Sequence, residues 1–220
     1  MADIVVFGAG GFAREVAVLI GDINAAKPGS WNLLGFIDDS TSTVGRTLVD
    51  LPVLGGIEWL SDRRDVAVCL GVGSPVTKRK LAARIAELRL QTPVLIHPNV
   101  VWSKFIEVGS GAVITAGNIL TVDIEIGDFA MLNLACTVGH DVRVGPFATI
   151  SPGAKISGNV IIGEGCDIGT GSASIQGIEI GNWSVIGAGA VVTSNIPANS
   201  TAVGVPARVV KRRPDGWHEA

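Results

Sequence analysis

The adjacent residues His140 and Asp141 are the place in this sequence where two side chains could carry out acid–base chemistry. Histidine has an unperturbed pKa of about 6.5, so its neutral imidazole can accept a proton near neutral pH. A neighbouring carboxylate can stabilise the imidazolium that forms. A surface histidine without a catalytic role is the alternative interpretation, and these two residues by themselves leave both open.

The spacing of aliphatic residues around His140 predicts the element that must position it. Aliphatic side chains recur at every sixth residue from Val108 to Val192, through fifteen positions without an insertion, and Ser174 is the one exception. This period is typical of a parallel β-helix, and it matches neither an alternating strand nor an amphipathic helix. Three faces make one coil of eighteen residues, so residues 108–197 predict five coils.

Two other columns of the repeat support this interpretation. Glycine follows most of the aliphatic positions, from Gly109 to Gly187, and we expect these glycines to adopt positive φ at the corners. The fifth position of each repeat is small or aliphatic and should help to fill the core. Cys136 and Cys166 occupy that position. Together with Cys69 they are therefore predicted to be packing residues rather than disulfide partners or zinc ligands.

The eighteen-residue period places Gly158 directly above His140. A glycine there would leave an open ledge with an unobstructed backbone N–H beside the imidazole, where an acyl carbonyl could be polarised. By the same arithmetic Thr170 lies between Pro152 and Ala188. This second column of small residues could accommodate a thin, extended ligand.

The chain divides into two predicted domains. Residues 1–97 predict a small α/β domain, and residues 98–220 predict the β-helix with a C-terminal tail. The last strand of the α/β domain is expected at Val94–Ile96. The segment His97-Pro98 is expected to be a structural join between the domains, since proline disfavours helix at the residue before it.

A glycine-rich turn in the first domain suggests an anion site. The segment Gly8–Ala13 follows a buried strand and precedes a helix, in the form G-x-G-x-x-A, and such a turn presents bare backbone N–H groups to an anion. The next strand ends at Asp38-Asp39, whose carboxylates could bind a ribose or a base. A turn without a ligand is an equal alternative. The small size of the domain favours a mononucleotide over a dinucleotide.

Composition narrows the classes of partner and the compartment. The formal net charge of −3 implies no broad attraction to nucleic acid. The first residues lack a basic region followed by a long apolar run, and no apolar stretch is long enough to span a bilayer, so we expect neither a signal peptide nor a membrane segment. With few and scattered cysteines, a reducing cytoplasm is the expected location.

The repeat, the segment Asn133–Asp141 and the segment Gly204–Ala207 resemble the hexapeptide-repeat acyltransferases. More narrowly, the chain from residue 3 to about residue 213 is similar to the bacterial nucleotide-sugar N-acetyltransferases and the sialic-acid O-acetyltransferases. The segments that carry this narrower resemblance are Gly8–Gly11, Phe36–Asp39, Leu51–Gly55 and Ile96–Pro98.

This resemblance implies a Rossmann-like α/β domain followed by a left-handed parallel β-helix. It also implies a homotrimer with active sites between subunits and acetyl-coenzyme A as the acyl donor. In the family, the histidine that matches His140 takes the proton from the acceptor, and the acid that matches Asp141 makes that histidine a better base.

The resemblance also assigns the binding residues. Positions matching Gly158, Thr170 and Ala188 line the coenzyme through backbone groups, and Thr149 stands where some relatives have a coenzyme-contacting histidine. Phe12 stands where many relatives have a histidine that bonds the sugar nucleotide. The nucleotide sugar is expected around Gly10, Gly11, Phe12, Asp38, Asp39 and Gly73.

The hypothesis from the sequence is therefore an acetyltransferase that N-acetylates the amino group of a nucleotide-linked amino sugar, in surface glycan biosynthesis. O-acetylation of a sugar hydroxyl, as in sialic acid, is the first alternative, and a non-catalytic nucleotide-sugar-binding scaffold is the second. A zinc enzyme of the carbonic-anhydrase type would need three histidine ligands on the β-helix, where the sequence has His140 alone, so no metal is expected.

Overall fold

The computed structural model describes residues 1–219, which form an α/β unit followed by a parallel β-helix. The strands of the α/β unit are Ala2–Phe7 (β1), Trp31–Ile37 (β2), Thr47–Leu48 (β3), Leu51–Gly55 (β4) and Ala67–Leu70 (β5). Its helices are Gly11–Ala26 (α1) and Pro75–Glu87 (α2), with a short 3-10 helix at Ile57–Leu60.

The α/β sheet has the strand order β3-β4-β2-β1-β5, and all neighbours except the β3–β4 hairpin are parallel. The central strand β1 is apolar along most of its length, and its residues Ile4–Phe7 are at most 2% exposed. Such a continuous apolar run is expected where helices or loops cover both faces of a parallel sheet. Because β1 and β5 are parallel, they end at the same edge of the sheet, where the glycine-rich turn follows β1 and Gly73 follows β5.

The strands of the β-helix follow one another at short, regular intervals. They are Leu95–Ile96 (β6), Ile106–Val108 (β7), Val113–Ile114 (β8), Ile119–Leu120 (β9), Ile124–Ile126 (β10), Met131–Leu132 (β11), Thr137–Val138 (β12), Arg143–Val144 (β13), Thr149–Ile150 (β14), Lys155–Ile156 (β15), Ile161–Ile162 (β16), Asp167–Ile168 (β17), Ala173–Ser174 (β18), Glu179–Ile180 (β19), Val185–Ile186 (β20) and Val191–Val192 (β21). A hairpin of Ser200–Val203 (β22) and Arg208–Arg212 (β23) follows, and the last described element is the 3-10 helix Trp217–Glu219.

Between residues 106 and 192 these strands stack into three parallel sheets that form the faces of a prism. The first face is β7-β10-β13-β16-β19. The second is β6-β8-β11-β14-β17-β20-β22-β23, and the third is β9-β12-β15-β18-β21. Strand partners are eighteen residues apart, as in the pair Val138 and Ile156. The predicted fold class, a Rossmann-like domain followed by a left-handed parallel β-helix of hexapeptide repeats, is confirmed.

The aliphatic column and the small fifth positions fill the prism as predicted. Ile114, Leu132 and Ile150 are fully buried, and the fifth-position residues Ala130 and Ala148 are at most 1% exposed. At the exception, Ser174, the hydroxyl accepts a hydrogen bond from the Ser157 N–H at 3.3 Å. The packing role of the cysteines is confirmed, because Cys69, Cys136 and Cys166 are buried and unpaired. Burial raises the pKa of the Cys69 and Cys166 thiols to about 12.

The explanation expected for the repeated glycines was wrong. From Val108 to Ile186, positive φ occurs three residues after each position of the column, at glycines such as Gly111 but also at Phe129, Ala135 and Asp141. The glycine directly after the aliphatic residue is required by the approach of the next coil. A Cβ on Gly145 would lie 2.6 Å from the backbone of residues 163 and 164. These glycines therefore exist to let two backbones pass closely, not to supply an unusual dihedral angle.

The strand expected as the last of the α/β domain belongs to the β-helix instead. Leu95–Ile96 pairs in parallel with Val113–Ile114, at the edge of the second face. The following His97 joins the units, since its Nε2 lies 3.1 Å from the carboxylate of Asp22 in α1 and its Nδ1 accepts the Asn99 N–H at 3.1 Å. The pairing of β6 attaches the chain at the end of the α/β unit to the second face of the β-helix. The proposed division at residue 97 itself stays a prediction.

The C-terminal residues pack back onto the β-helix. The Trp217 indole N–H donates to Asn199 at 3.1 Å, and the ring of His218 stacks on Trp183 with ring centroids 3.8 Å apart. Among the helices within residues 1–219, none combines the length and the apolar character needed to cross a bilayer.

We predict that Gly145→Ala lowers the free energy of unfolding by about 1–3 kcal/mol, because the new methyl group meets backbone that cannot move without shifting a whole coil. Gly21→Ala, on an exposed position of α1 with no atom within 4 Å of the new Cβ, should instead raise it by about 0.5–1 kcal/mol. Urea denaturation of both variants measures these changes. An unaltered midpoint for Gly145→Ala would contradict the close-approach explanation.

Candidate active site

The imidazole of His140 and the carboxylate of Asp141 are in contact at a corner of the prism. His140 Nδ1 lies 2.6 Å from Asp141 Oδ2, and both side chains are about half exposed, at 55% and 52%. An ionised carboxylate can only accept, so Nδ1 donates and Nε2 keeps the lone pair that can accept a proton. Asp141 adopts a left-handed backbone conformation with φ of 58°, which aspartate tolerates better than most residues.

Gly158 lies directly against the other side of this imidazole. A Cβ on Gly158 would be 2.6 Å from both Cε1 and Nε2 of His140, so the ring occupies the space that a side chain would need. The Asn159 N–H donates to the His140 carbonyl at 2.8 Å and ties the two coils together. Within residues 1–219 the Gly158 N–H donates no hydrogen bond. We call residues 139–141 and 157–159 the histidine corner.

Thr170 and Ala188 lie at a different corner, which we call the small-residue corner and define by Pro152, Thr170 and Ala188. The stacking follows the expected register, since the Gly189 N–H donates to the Thr170 carbonyl at 2.8 Å. The third face, β9-β12-β15-β18-β21, separates this corner from the histidine corner. A face of six extended residues is about 20 Å wide. One chain therefore does not bring Gly158 together with Thr170 and Ala188.

The glycine-rich turn leaves the N-terminus of α1 open. The helix begins at Gly11, Gly10 is its N-cap without a side-chain hydrogen bond, and no acidic residue lies in the first turn. A Cβ on Gly10 would meet no atom within 4 Å, so the space in front of the helix is free. The exposed N–H groups and the positive end of the helix dipole can bind an anion such as a phosphate.

Asp38 and Asp39 both accept hydrogen bonds from backbone N–H groups. Asp38 Oδ2 accepts the Ala9 N–H at 2.8 Å, and Asp39 Oδ1 accepts the Ile57 N–H at 3.0 Å. Asp39 also pairs with Arg84 of α2. Burial acts to raise the pKa of Asp39, but the hydrogen bond from Arg84 and that from Ile57 hold it below its usual value. Asp38 therefore anchors the glycine-rich turn and Asp39 anchors the start of the 3-10 helix, and their contact with a ligand stays a prediction.

A cleft between the two units brings Phe12 and Gly73 together. We call it the interdomain cleft, and it is lined from the α/β unit by Phe12, Glu15, Gly73 and Ser74, and from the β-helix by Met131, Asn133, Thr149, Ser151 and Asp167. A Cβ on Gly73 would meet only the Met131 methyl group, at 3.9 Å, so the turn after β5 approaches the prism without filling the space. Two residues assigned to the nucleotide sugar thus share one concave surface with the β-helix.

The side chain of Thr149 takes part in a contact between the two units. Its side chain is buried, with 4% of the residue exposed, and its hydroxyl donates to the Gly73 carbonyl at 2.6 Å. The hydroxyl is therefore used to hold the Gly73 turn against the prism. Thr149 therefore joins the units, and its contact with coenzyme stays a prediction.

Sequence reasoning missed Lys78 and Asp167 in the same region. Lys78 of α2 is 2% exposed, and its Nζ donates to the Ala148 carbonyl at 2.9 Å. Burial lowers the pKa of Lys78 to about 7, against the opposing effect of the Asp167 charge. One signal was available, because Lys78 shares the buried stripe of α2 with Leu81 and Ile85 at helical spacing.

Comparison with known proteins gives a consistent result along the whole chain. Residues 3–85 match the family described as the PglD N-terminal domain. The acetyltransferase domain of PglB from Neisseria gonorrhoeae FA1090 is 32% identical, with a TM-score of 0.87 over 96% of this chain and 100% of that one. A second structure of that domain is a complex with acetyl coenzyme A. A search of curated proteins finds no match.

Two further solved structures are similar over nearly the full length. WeeI from Acinetobacter baumannii AYE is 33% identical, with a TM-score of 0.86 over 96% of this chain and 100% of that one. PerB from Caulobacter crescentus, in complex with CoA and GDP-perosamine, is 28% identical, with a TM-score of 0.86 over 96% of this chain and 98% of that one.

We predict that Gly158→Ala displaces the His140 ring without unfolding the chain. The new methyl group would collide with an imidazole that is half exposed and free to rotate, so the free energy of unfolding should change by no more than about 1 kcal/mol. The contact between Nδ1 and Asp141 should be lost. Imidazole ¹⁵N chemical shifts of His140 report that contact, and shifts identical to wild type would contradict the stacked arrangement.

Proposed function

The chain belongs to the hexapeptide-repeat acetyltransferases, and on this premise we propose that it transfers the acetyl group of acetyl-coenzyme A to the amino group of a nucleotide-linked amino sugar. The similarity to a protein crystallised with GDP-perosamine and CoA favours an amine acceptor over the hydroxyl acceptor of the O-acetylation alternative. The observation that carries the proposal is the Asp141-supported imidazole of His140 lying over the bare backbone of Gly158.

In this proposal His140 is the general base. Its Nε2 removes a proton from the acceptor nitrogen as that nitrogen attacks the thioester carbonyl, and Asp141 stabilises the resulting imidazolium through Nδ1. The new C–N bond forms before the C–S bond breaks. The proton held by His140 then passes to the departing thiolate, so that the products are the acetamide and free coenzyme A.

The Gly158 N–H is the proposed donor to the oxyanion of the intermediate. It has no acceptor within residues 1–219, and it belongs to the residue against which the imidazole rests. A preorganised backbone donor of this kind stabilises negative charge that develops on the carbonyl oxygen in the transition state. Base and oxyanion donor would then act on the same thioester from one corner of the prism.

The proposed nucleotide site and the proposed base are far apart in one chain, which supports a homotrimer with shared active sites. The open N-terminus of α1 and the interdomain cleft lie on the second face, whereas the histidine corner lies beyond the third face. The small-residue corner, with Thr170 and Ala188, lies between them. We infer that a neighbouring subunit supplies the histidine corner, and that coenzyme runs between its Gly158 and the small-residue corner.

The proposed setting follows from the substrates. Acetyl-coenzyme A and nucleotide sugars are both made in the cytoplasm, and the three buried free thiols suit a reducing compartment. A nucleotide-linked acetamido sugar is a donor for glycan assembly, so synthesis of a surface polysaccharide is the proposed use of the product.

We predict that His140→Ala lowers kcat/KM for acetyl transfer at least about 100-fold, because the general base is lost. The Kd for acetyl-coenzyme A should change little, since the imidazole acts on the acceptor. Transfer is assayed by thiol release with GDP-perosamine and with UDP-linked and dTDP-linked amino sugars. As a control, His218→Ala removes a histidine that stacks on Trp183 at another corner, and it should keep its activity. Near-normal turnover by His140→Ala would defeat the assignment.

We predict that two inactive variants restore activity when they share a trimer. His140→Ala removes the base, and Gly11→Asp places a negative charge at the open N-terminus of α1, where it repels a phosphate while suiting the helix. Trimers assembled from both chains contain some sites with an intact base and an intact turn.

Light scattering should give a mass three times 22.7 kDa. Recovery of activity in the mixture, with neither variant active alone, is the expected result. A mixture as inactive as its components would show that both groups act within one chain.

A further inference from the structure

The interdomain cleft contains a carboxylate that the proposed mechanism does not use. Asp167 is the first residue of β17, is partly buried, and lines the cleft together with Phe12, Gly73 and Ser74. Within residues 1–219 no group donates a hydrogen bond to its side chain. A partly desolvated carboxylate without donors is costly unless another molecule supplies them.

Lys78 is the basic residue whose charge acts on this carboxylate. The lysine reaches from α2 into the β-helix, where its Nζ is buried and bonded to the Ala148 carbonyl at 2.9 Å. It is not in direct contact with Asp167, yet each influences the titration of the other. The charged form of Lys78 opposes the rise in the pKa of Asp167 that burial causes, and it leaves the carboxylate oxygens free for a ligand.

The location of Asp167 indicates which ligand could donate a hydrogen bond to its carboxylate. Its backbone leads in three residues to Thr170 at the small-residue corner, about 10 Å away along an extended chain. On its other side lie Gly73 and Phe12, next to the open N-terminus of α1. Asp167 therefore stands between the groups proposed to bind the nucleotide and those proposed to bind coenzyme, which is where the sugar of the acceptor must lie.

We propose that Asp167 binds the acceptor sugar by accepting a hydrogen bond from one of its hydroxyl or amino groups, and that Lys78 is a positioning residue that acts through Asp167. This inference rests on the proposed function, because it names the part of the acceptor that the cleft recognises. Asp167 would thus select for a sugar with an N–H or O–H donor at one position, while the turn at Gly11 binds the nucleotide phosphates.

The main test is Asp167→Asn, which keeps the shape and removes the charge. The KM and the calorimetric Kd for the nucleotide amino sugar should rise about 10-fold to 100-fold, the loss expected for a hydrogen bond to a charged group. The Kd for acetyl-coenzyme A should stay within about twofold. The matched control is Glu179→Gln, an exposed outward carboxylate on β19 of the first face, which should leave both constants unchanged.

A second variant separates recognition from simple support of the fold. The charged groups that line the cleft are Glu15 of α1 and Asp167 of β17, and Lys78 of α2 is buried next to it. Burial raises the pKa of Asp167, and the Lys78 charge opposes that rise. Lys78→Met should therefore raise the pKa further, so that acceptor binding weakens on acidification at a higher pH than in wild type. Lys78→Arg retains the charge and should restore the wild-type pH profile.

Each outcome bears on one of the two proposals. A wild-type protein that binds the amino sugar but does not acetylate it would contradict the proposed function, while the Kd of Asp167→Asn would still decide the inference. Unchanged KM and Kd for Asp167→Asn, with active wild type, would overturn the inference alone. If wild type neither binds nor acetylates GDP-perosamine or any UDP-linked or dTDP-linked amino sugar, both proposals fail. To distinguish the two donors, the same Kd is measured with the parent hydroxy sugar nucleotide, and a loss on Asp167→Asn for the amino sugar alone assigns the amine.

Discussion

The close approach of backbone between successive coils is the constraint on which the rest of the structure depends. A Cβ on Gly139 would lie 2.6 Å from the backbone nitrogen of Gly158, and similar glycines follow most of the aliphatic core positions. This approach holds each coil eighteen residues above the last, and it places the His140 ring against Gly158. A shift of one residue would turn every side chain to the other side of its strand and would separate these groups.

The second organising feature is the docking of the α/β unit on one face of the prism. Lys78 bonds to the Ala148 carbonyl just before β14, Thr149 bonds to the Gly73 carbonyl, and β6 extends the sheet on the same face. Docking on this face leaves the histidine corner uncovered and remote from the nucleotide turn. The proposed base and the proposed nucleotide site therefore lie on separate parts of one chain, and they would meet only where one copy contacts another in the proposed trimer. The same division explains why the interdomain cleft contains residues assigned to the nucleotide sugar and not the proposed base.

Much of the β-helix could be predicted from the sequence, because residues that are eighteen positions apart are neighbours in space. The pair His140 and Gly158 was found in this way. The features that sequence analysis missed or explained wrongly depend on distances or packing, which the eighteen-residue period does not contain. The reason for Gly145 is the spacing between coils, which a local dihedral argument does not contain. The burial of Lys78 and the bond made by Thr149 arise when the other unit docks, and a lysine on a helix ordinarily indicates a solvated position.

The uninterrupted register also limits how such a chain can change in length. In the strands, one additional residue would rotate all later positions out of their columns, so tolerated insertions should bulge outward from corners or add a complete coil of eighteen. The histidine corner has no room for such a loop at Gly158, because the ring of His140 already fills the space beside that residue. Among proteins with this fold, we therefore expect insertions at the corner that carries no proposed site residue and differences in the number of coils. The rise from one coil to the next should stay the same.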